Sequence, residues 1–361
     1  MRLATDLAET GIRMVQPNPS VGCVIVDDNG SVLGQGHTQQ VGGPHAEIMA
    51  LRDAQQQGRD VSGATAYVTL EPCSHYGRTG PCCDALINAG IKKVVASMAD
   101  PNPLVSGQGF EILRAAGIEV EVGPGAAESR EINIGFLSRM TRRTPWVRMK
   151  IASSLDGTTA LENGKSQWIT SAEARADGHA WRARASAVLT GIGTVLEDNP
   201  RLDVRLVETT RQPHRIIVDS QLQTPPDAAL FDTDGEVWIY CAIQDPARTA
   251  ALQARGAKIM TLPSPFGKVD LAAMMRDLAH REINELHVEA GHKLNGSLVR
   301  ENLVDEFLLY IAPTLLGPGR GMTALPALEE LSSGLALQFV STRMIGPDLR
   351  ILARVKGRDQ F

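Results

Sequence analysis

The chain carries HAE at residues 45–47 and PCSHYGRTGPC at residues 72–82. These segments supply one imidazole, from His45, and two thiols, from Cys73 and Cys82. Three such ligands suit a zinc ion and leave its fourth tetrahedral position for water, whose pKa the metal lowers towards neutrality. Glu47 adds a carboxylate that can move protons beside the metal. The two segments therefore predict a catalytic zinc site, with His45, Cys73 and Cys82 as ligands and Glu47 as the catalytic acid–base group.

The spacing of His45 and Glu47 limits where this metal can lie. Side chains two residues apart on a helix point about 200° apart, so they cannot share a lateral face. They converge only if the metal lies beyond the N-terminus of a helix that begins near His45, where the positive end of the helix dipole favours thiolates. Cys73 follows a predicted strand at 65–70 and Cys82 opens a predicted helix, so three element ends are expected to face one point.

The loop between the two cysteines narrows the substrate class. Eight residues separate Cys73 from Cys82, whereas zinc deaminases that act on nucleic-acid bases place two residues there. The longer loop contains several polar groups that can line a pocket. This spacing argues against deaminases that act on tRNA or DNA bases and favours a small phosphorylated substrate.

Length, composition and net charge limit the number of domains, the partners and the cellular location that can be expected. A chain of 361 residues is expected to form two domains, and its net charge of −5 gives no reason to expect a nucleic-acid partner. No apolar run approaches the roughly 20 residues of a membrane span, and the N-terminus lacks a secretory signal. We therefore expect a cytoplasmic protein. Its five cysteines would be metal ligands or core residues rather than disulfides; core packing is favoured for Cys23 and Cys83.

The two halves of the chain have similar element patterns. Short β-like runs alternate with helical ones on both sides of a polar, basic stretch at 139–145, whose arginines indicate a solvated linker. Strands separated by helices imply largely parallel sheets covered on both faces. The prediction is an α/β protein with one domain at 1–142 and a second at 143–361. In the first domain, strands are predicted at 21–26, 65–70, 93–98 and 118–122. In the second, they are predicted at 147–151, 187–190, 216–219, 237–242, 258–262, 285–289 and 306–311.

The second domain contains two candidate loops for a phosphorylated cofactor. Residues 191–195 (GIGTV) follow a predicted strand but lack the third glycine of a dinucleotide fingerprint, so they indicate either a tight turn or a cofactor loop. Residues 291–297 (GHKLNGS) follow another predicted strand and lead into a helix. The backbone N–H groups at such a helix start can receive a phosphate.

Nine segments together resemble one family. They are 17–22 (PNPSVG), 45–47 (HAE), 71–82 (EPCSHYGRTGPC), 100–103 (DPNP), 154–157 (SLDG), 166–170 (SQWIT), 193–195 (GTV), 198–202 (DNPRL) and 288–291 (VEAG). On these segments the chain resembles the RibD family, the bifunctional deaminase/reductases of riboflavin biosynthesis. The resemblance covers nearly the whole chain. It departs at Gly80, where the family usually has a second proline.

The resemblance implies the first activity. An N-terminal cytidine-deaminase-like domain with three α/β/α layers would deaminate 2,5-diamino-6-ribosylamino-4(3H)-pyrimidinone 5′-phosphate, with one Zn²⁺ per chain. The residues implied as substrate contacts are Asn18, His37, Arg78 and Asn102. Arg78 is a plausible phosphate partner because a guanidinium matches phosphate oxygens. His75 is either a loop-ordering group or a substrate contact.

The resemblance also implies a C-terminal dihydrofolate-reductase-like α/β domain that uses NADPH to reduce the ribosyl group to ribityl. The implied cofactor contacts are Ala152, Trp168, Thr194, Asp198, Ser220, Gly291, His292, Lys293, Leu294, Asn295, Gly296 and Ser297. The implied substrate contacts are Ser166, Arg182, Leu202, Arg205 and Glu289, with Arg182 and Arg205 as candidate phosphate clamps. Trp168 can equally be a core aromatic residue. Family analogy favours a homodimer or a larger homo-oligomer.

Two other functions remain open on the sequence. The chain could be a single-activity deaminase whose C-terminal domain binds a nucleotide as a regulator, or a structural zinc module without catalysis. Glu47 discriminates against the second, since a structural site needs four protein ligands and no additional carboxylate.

Overall fold

The computed structural model describes residues 1–74, 80–102 and 106–361. Its contacts divide the chain into two compact units, Met1–Arg142 with Phe361, and Arg143–Gln360. Both are α/β. Arg139 and Arg142 are not in a solvated linker but in the last helix of the first unit, where Arg139 donates to the carbonyl of Pro17 (3.2 Å) and Arg142 to the Ser138 hydroxyl (2.7 Å). Within the described ranges, no helix combines the length and the apolar character needed to cross a membrane.

The first unit has one five-stranded sheet flanked by helices. Its helices are α1 (Arg2–Gly11), α2 (Ala46–Gln56), α3 (Cys82–Asn88), α4 (Gln108–Ala115), α5 (Ala126–Ile132) and α6 (Ile134–Arg142), and its strands are β1 (Gly22–Val26), β2 (Val32–His37), β3 (Thr65–Val68), β4 (Lys93–Ala96) and β5 (Glu119–Val122). The strand order is β2-β1-β3-β4-β5. β1 pairs antiparallel with β2 and β3, whereas β3, β4 and β5 are parallel. The prediction of a largely parallel sheet is therefore wrong for this unit, because two of the four pairings are antiparallel.

Strand β2 was not predicted from the sequence, because two of its six residues are glycines, which weaken a β-strand pattern. A Cβ on Gly34 would lie 2.2 Å from the Ala50 carbonyl oxygen, and one on Gly36 would lie 2.4 Å from the Met49 Cβ. These glycines let helix α2 pack directly on β2. Close packing here fixes the position of the helix that carries His45 and Glu47 at its start.

The register of this sheet brings four connecting segments to one edge. Gly22 pairs with His37, the neighbouring Cys23 with Val68, and Val68 with Ala96. The chain therefore enters β1 and leaves β2, β3 and β4 at the same edge. Asn18, His37, Cys73 and Asn102 all lie on these segments.

The second unit is built on a nine-stranded sheet. Its strands are β6 (Trp146–Ser154), β7 (Thr158–Leu161), β8 (Ala187–Gly191), β9 (His214–Val218), β10 (Val237–Cys241), β11 (Ala257–Thr261), β12 (Glu285–Val288), β13 (Glu306–Ala312), β14 (Gly319–Gly321), β15 (Leu337–Ile345) and β16 (Asp348–Val355), and its helices are α7 (Ala172–Arg184), α8 (Ile192–Asp198), α9 (Pro246–Ala254), α10 (Leu271–His280) and α11 (His292–Arg300). Strands β7 and β14 form a separate two-stranded sheet, and the other nine are ordered β11-β10-β9-β8-β12-β6-β13-β16-β15. The first seven strands are parallel, as predicted, and the β15–β16 hairpin adds two antiparallel strands.

The central strands are cross-linked by a buried ion network. Arg148 on β6 donates to Glu285 on β12 and to Glu306 on β13, each at 2.6 Å, and all three side chains are at most 2% exposed. Burial would raise the pKa of both carboxyls, but the guanidinium of Arg148, with Arg184 or Arg354, holds both pKa values below their usual range. This network joins β6, which carries Lys150, to β12, which Glu289 follows directly.

Candidate metal centre and ligand cleft

The three predicted metal ligands converge in the first unit. The Nδ1 atom of His45 lies 3.5 Å from the sulfur of Cys73 and 3.3 Å from the sulfur of Cys82. All three ligand atoms lie within 4.8 Å of one another. Among the described residues this is the one group of three or more His, Cys, Asp and Glu side chains arranged to hold a metal. The predicted convergence is confirmed.

These distances fit zinc. With Zn–N of about 2.05 Å and Zn–S of about 2.3 Å, tetrahedral angles place nitrogen and sulfur about 3.5 Å apart. The observed separations of 3.5 and 3.3 Å match this value. One nitrogen and two sulfurs are also a donor set that zinc favours over magnesium or calcium. The residues present therefore fit a zinc ion.

Element ends create this geometry, as the spacing predicts. His45 is the extended residue just before helix α2 (φ −75°, ψ 169°), and Glu47 lies in the first turn of that helix. Cys82 is the first residue of α3. Its backbone N–H donates to the Cys73 sulfur at 3.3 Å, which stabilises a thiolate there. Cys23 and Cys83 are buried in the core of this unit, so the core-packing prediction for both is confirmed.

Glu47 is buried beside the ligands, with 3% of its surface exposed. Burial raises the pKa of its carboxyl to about 7, and the neighbouring Cys73 acts in the same direction. A carboxyl with a pKa near neutrality can both accept and release a proton at working pH. The position and environment of Glu47 suit proton transfer rather than a structural role.

The pKa values of the two thiols are shifted in opposite directions. A hydrogen bond from Cys82 lowers the pKa of the Cys73 thiol to about 4, and His45 adds to this effect against the cost of burial. The same bond, with burial, raises the pKa of the Cys82 thiol. A bound divalent cation would favour the thiolate form of both sulfurs and displace their remaining proton.

The other residues implied for this site lie at the same sheet edge. Asn18 precedes β1, His37 ends β2 and Asn102 follows β4, and each is half-buried. The backbone N–H of Asn102 donates to the Asp100 carboxylate at 2.8 Å. Arg78 and His75 lie outside the described residues.

Glu71 is a functional candidate that the sequence reasoning missed. Its buried carboxylate accepts hydrogen bonds from the backbone N–H groups of Asp100 (2.9 Å), Gly107 (2.9 Å) and Gly109 (2.8 Å). Glu71 thereby connects the segment before Cys73 to the segment that carries Asn102. Its place next to the Pro-Cys pair was the available signal, but its partners are 29 to 38 residues away.

We expect Glu71→Gln to weaken substrate binding in the first unit. One amide oxygen replaces a carboxylate that accepts three N–H groups, and each charged hydrogen bond is worth about 1.5–3 kcal/mol. The KM for a deaminase substrate should rise about tenfold or more, while the zinc content stays at one ion per chain. Steady-state kinetics with metal analysis checks this, and Glu111→Gln, at an exposed position of the same unit, is the control. An unchanged KM would refute the positioning role.

The second unit contains a cleft of about 480 Å³. Twelve of the seventeen residues implied for this unit line it: Ala152, Ser166, Trp168, Arg182, Thr194, Asp198, Leu202, Arg205, Glu289, Gly291, His292 and Asn295. Trp168 is 66% exposed, so it is not a core aromatic residue; Arg175 stacks on its ring at 4.5 Å. Among the described lining residues six Lys and Arg side chains face three carboxylates, Glu197, Asp198 and Glu289. This excess of positive charge suits phosphorylated ligands.

The other five implied residues lie outside the lining. Ser220 follows β9, and its hydroxyl accepts from the Val269 N–H at 3.2 Å. Lys293, Leu294, Gly296 and Ser297 are on helix α11. Gly296 packs against the backbone of residue 324, since a Cβ there would lie 2.3 Å from the Ala324 carbonyl oxygen. Their roles as cofactor contacts stay predictions.

One wall of the cleft carries a largely buried ion cluster around Glu289. Arg182 donates to both carboxylate oxygens of Glu289, and Lys150 lies 3.8 Å away. Burial would raise the pKa of the Glu289 carboxyl, but Arg182 and Lys150 hold it well below its usual value. Burial lowers the pKa of the Lys150 ammonium. Lys150, on strand β6, therefore lines the cleft beside this carboxylate.

Another part of the cleft lining offers groups that fit a dinucleotide. Helix α11 begins directly after Gly291, and a Cβ on Gly291 would meet no atom nearer than 3.8 Å. Asn295, one turn into this helix, is 3% exposed and lines the cleft, yet its side-chain oxygen has no partner in the described structure. A helix start with an unsatisfied buried oxygen suits a phosphate and a polar group of a cofactor such as NADPH.

The two units define a class of protein. The first holds a zinc centre with three protein ligands and a buried acid–base carboxyl, which is the arrangement of zinc deaminases. The second holds a cationic cleft at the carboxyl edge of a parallel sheet, where dinucleotides bind. The molecule is therefore a two-unit enzyme that joins a deaminase to a cofactor-binding domain.

Comparison with known proteins gives the family. Residues 1–98 match the cytidine and deoxycytidylate deaminase zinc-binding region, and residues 145–351 match the RibD C-terminal domain. The riboflavin biosynthesis protein RibD of Escherichia coli (strain K12) is 45% identical over 97% of this chain and 96% of its own length. RibD of Acinetobacter baumannii, form 1, superposes with a TM-score of 0.89 at 39% identity, covering 98% of this chain and 97% of that one. A Thermotoga maritima diaminohydroxyphosphoribosylaminopyrimidine deaminase/5-amino-6-(5-phosphoribosylamino)uracil reductase superposes with a TM-score of 0.87 at 34% identity, with the same coverage.

The chain belongs to the RibD family. It is a bifunctional enzyme of riboflavin biosynthesis, a deaminase and a reductase, with zinc and NADPH as cofactors. The cytidine-deaminase-like and reductase folds implied by the sequence are confirmed. The main functional prediction is supported over the alternative of a single-activity deaminase with a regulatory domain.

Proposed function

We propose that this chain performs two consecutive steps, each with the residues described above. The first is hydrolytic deamination of 2,5-diamino-6-ribosylamino-4(3H)-pyrimidinone 5′-phosphate. The second is NADPH-dependent reduction of the ribosyl group of that product to ribityl. The observation that carries the proposal is the His45, Cys73 and Cys82 cluster at zinc-binding distances beside the buried carboxyl of Glu47.

In the first step His45, Cys73 and Cys82 would hold the zinc ion, which when bound supplies Lewis-acid activation of water. Glu47 takes the proton from the attacking water and gives it to the departing amine. Water adds at the ring carbon that bears the 2-amino group, the carbon–nitrogen bond breaks and ammonia leaves. Asn18, His37 and Asn102, from three segments at one sheet edge, would contact the substrate, and Arg78 is proposed as a further contact.

In the second step Glu289, Arg182, Ser166, Leu202 and Arg205 would contact the substrate in the cleft. The proposed cofactor contacts are Ala152, Trp168, Thr194, Asp198, Ser220 and 291–297. NADPH, when bound, supplies the hydride that reaches C1′ of the ring-opened sugar. The ion pairs of Glu289 with Arg182 and Lys150 keep the Glu289 carboxylate ionised and hold these side chains in place.

The test is to separate the two steps by removing zinc. Chelated protein should release no ammonia from the diaminopyrimidine phosphate, yet it should oxidise NADPH with the deaminated substrate at the normal rate, because no described zinc ligand lies in the second unit. Ammonia assay and NADPH absorbance check both steps. Failure of the intact protein to oxidise NADPH with the deaminated substrate would contradict the proposal.

We also propose that the enzyme is a cytoplasmic homodimer. All five cysteines are free, as expected in a reducing compartment. Strand β15 is the outer strand of its sheet, and Leu337, Phe339, Val340 and Met344 on it are exposed. An exposed apolar edge strand is a template for pairing with a second copy. Sedimentation equilibrium should give twice the chain mass, and a monomer mass would refute the dimer.

A further inference from the structure

The segment 201–205 turns two arginines towards the cleft and one carboxylate away from it. Arg201, Leu202 and Arg205 line the cleft, whereas Asp203 does not. The Asp203 side chain is 6% exposed, while those of Arg201 and Arg205 are 51% and 48% exposed. Leu202 adopts a left-handed backbone conformation (φ 56°), which helps to reverse the direction of neighbouring side chains. The segment thus presents two cations on a buried anionic support.

Asp203 contacts both arginines with separate oxygens. Arg201 donates its Nε to one carboxylate oxygen at 3.0 Å, and Arg205 donates an Nη to the other at 2.6 Å. Burial would raise the pKa of the Asp203 carboxyl, but these two hydrogen bonds hold it below its usual value. Each guanidinium uses one nitrogen in this way. Within the described residues its other N–H groups have no hydrogen-bond partner and remain available to a ligand.

Arg182, the third arginine here, is already engaged. Its Nε and one Nη donate to Glu289, and its other Nη donates to the Asp203 carbonyl oxygen at 2.8 Å. All three nitrogens of this guanidinium therefore have protein acceptors. In the described structure, two of the five N–H groups of Arg182 remain for a ligand, whereas Arg201 and Arg205 each keep four.

The surroundings keep the segment rigid and cationic. The backbone N–H of Arg205 donates to His179 Nδ1 at 3.3 Å, and burial together with Arg182 and Arg205 lowers the pKa of His179 to about 4. His179 is thus neutral and serves as an acceptor. Val204 exchanges two backbone hydrogen bonds with the Gln212 side chain, at 2.7 and 2.9 Å. The Asp203 carboxylate contacts both Arg201 and Arg205.

We infer that Asp203 is a positioning residue that holds Arg201 and Arg205 as a preformed pair for the 5′-phosphate of the pyrimidine substrate. The inference rests on the proposed second step and deepens it. A guanidinium held on one edge by a carboxylate loses little freedom when its other edge binds phosphate oxygens. The phosphate is thus assigned to Arg201 and Arg205, whereas the sequence led us to expect a clamp of Arg182 and Arg205. Arg182 instead orients Glu289.

The experiment compares the reductase with and without the substrate phosphate. The deaminated substrate is used intact or after removal of its 5′-phosphate, at saturating NADPH. We expect Asp203→Asn and Arg201→Ala each to raise the KM for the phosphorylated form about 10- to 100-fold, the value of one charged hydrogen bond. The kcat/KM for the dephosphorylated form should change less than about threefold. Arg201→Ala alters a half-exposed side chain, so it decides the question if Asp203→Asn does not fold.

Three results would overturn the inference: equal losses on both substrate forms, no loss on either, or a weaker NADPH dissociation constant with an unchanged substrate KM. The last would place the cofactor's phosphates on this pair. Asp232→Asn, which removes the carboxylate partner of Arg255 at the surface (3.2 Å), is the matched control and should match wild type. If wild type reduces neither form, the proposed second step fails. Calorimetric titration with the phosphorylated pyrimidine, wild type against Arg201→Ala, then decides the inference by itself.

Discussion

Glu47→Gln should abolish ammonia release while the protein keeps its zinc and its reductase activity. The amide has nearly the same shape as the carboxyl but cannot take a proton from water, and general acid–base groups contribute about 10²- to 10⁴-fold to rate. We expect a fall in kcat of about 10³-fold or more. Because His45, Cys73 and Cys82 are untouched, metal analysis should still find one zinc ion per chain.

The reductase reaction of the same variant is an internal control, since Glu47 is in the first unit. Glu111→Gln controls for the loss of one charge in that unit. An active Glu47→Gln variant would refute the assigned role. Loss of zinc together with activity would show instead that Glu47 supports the metal.

Glu289→Gln should have the opposite effect: lost reduction with intact deamination. The substitution leaves Arg182 and Lys150 facing a neutral amide in a largely buried place, where side-chain exposure is 14–24%. Removing one partner of a buried ion pair costs about 3–5 kcal/mol. We expect a lower free energy of unfolding for the second unit and a reductase kcat/KM reduced by about 10²-fold or more, as for loss of a buried charged contact.

Urea denaturation and NADPH oxidation measure these two effects. Glu236→Gln, which alters a surface pair with Lys258 (2.6 Å), should change both by little. Normal reduction by Glu289→Gln would contradict the proposed contact. A parallel loss of ammonia release would show that the damage is not confined to the second unit.

The zinc centre was predictable from sequence because imidazole and thiol groups are recognisable as zinc ligands by residue type, although they lie 28 and 37 residues apart. Residue type and spacing specify His45 before a helix and Cys82 at the start of another, and both features are confirmed. The seven parallel strands of the second unit were predictable for a similar reason, since each is a compact apolar run between helical segments. Substrate identity came from the family resemblance alone.

The residues that sequence reasoning missed act through distant partners. Glu71 receives N–H groups from Asp100 and Gly107, which are 29 and 36 residues away. Asn133 exchanges two hydrogen bonds with the Ser20 backbone, at 2.7 and 2.9 Å, across 113 residues. The sequence alone indicates that Asp203 is a charged residue in a loop, and only the fold shows that it is buried beneath two arginines. Strand β2 was not predicted because it contains glycines, which weaken a β-strand pattern but allow a helix to pack closely there.

X-ray absorption at the zinc K edge measures which atoms coordinate the metal. We expect one zinc ion per chain, with two sulfur neighbours at about 2.3 Å, one imidazole nitrogen at about 2.05 Å and one further light atom that no protein side chain provides. Substitution of Cys73 or Cys82 should remove one sulfur from this shell. A shell of four protein ligands, or one without sulfur, would rule out a catalytic zinc site formed by His45, Cys73 and Cys82.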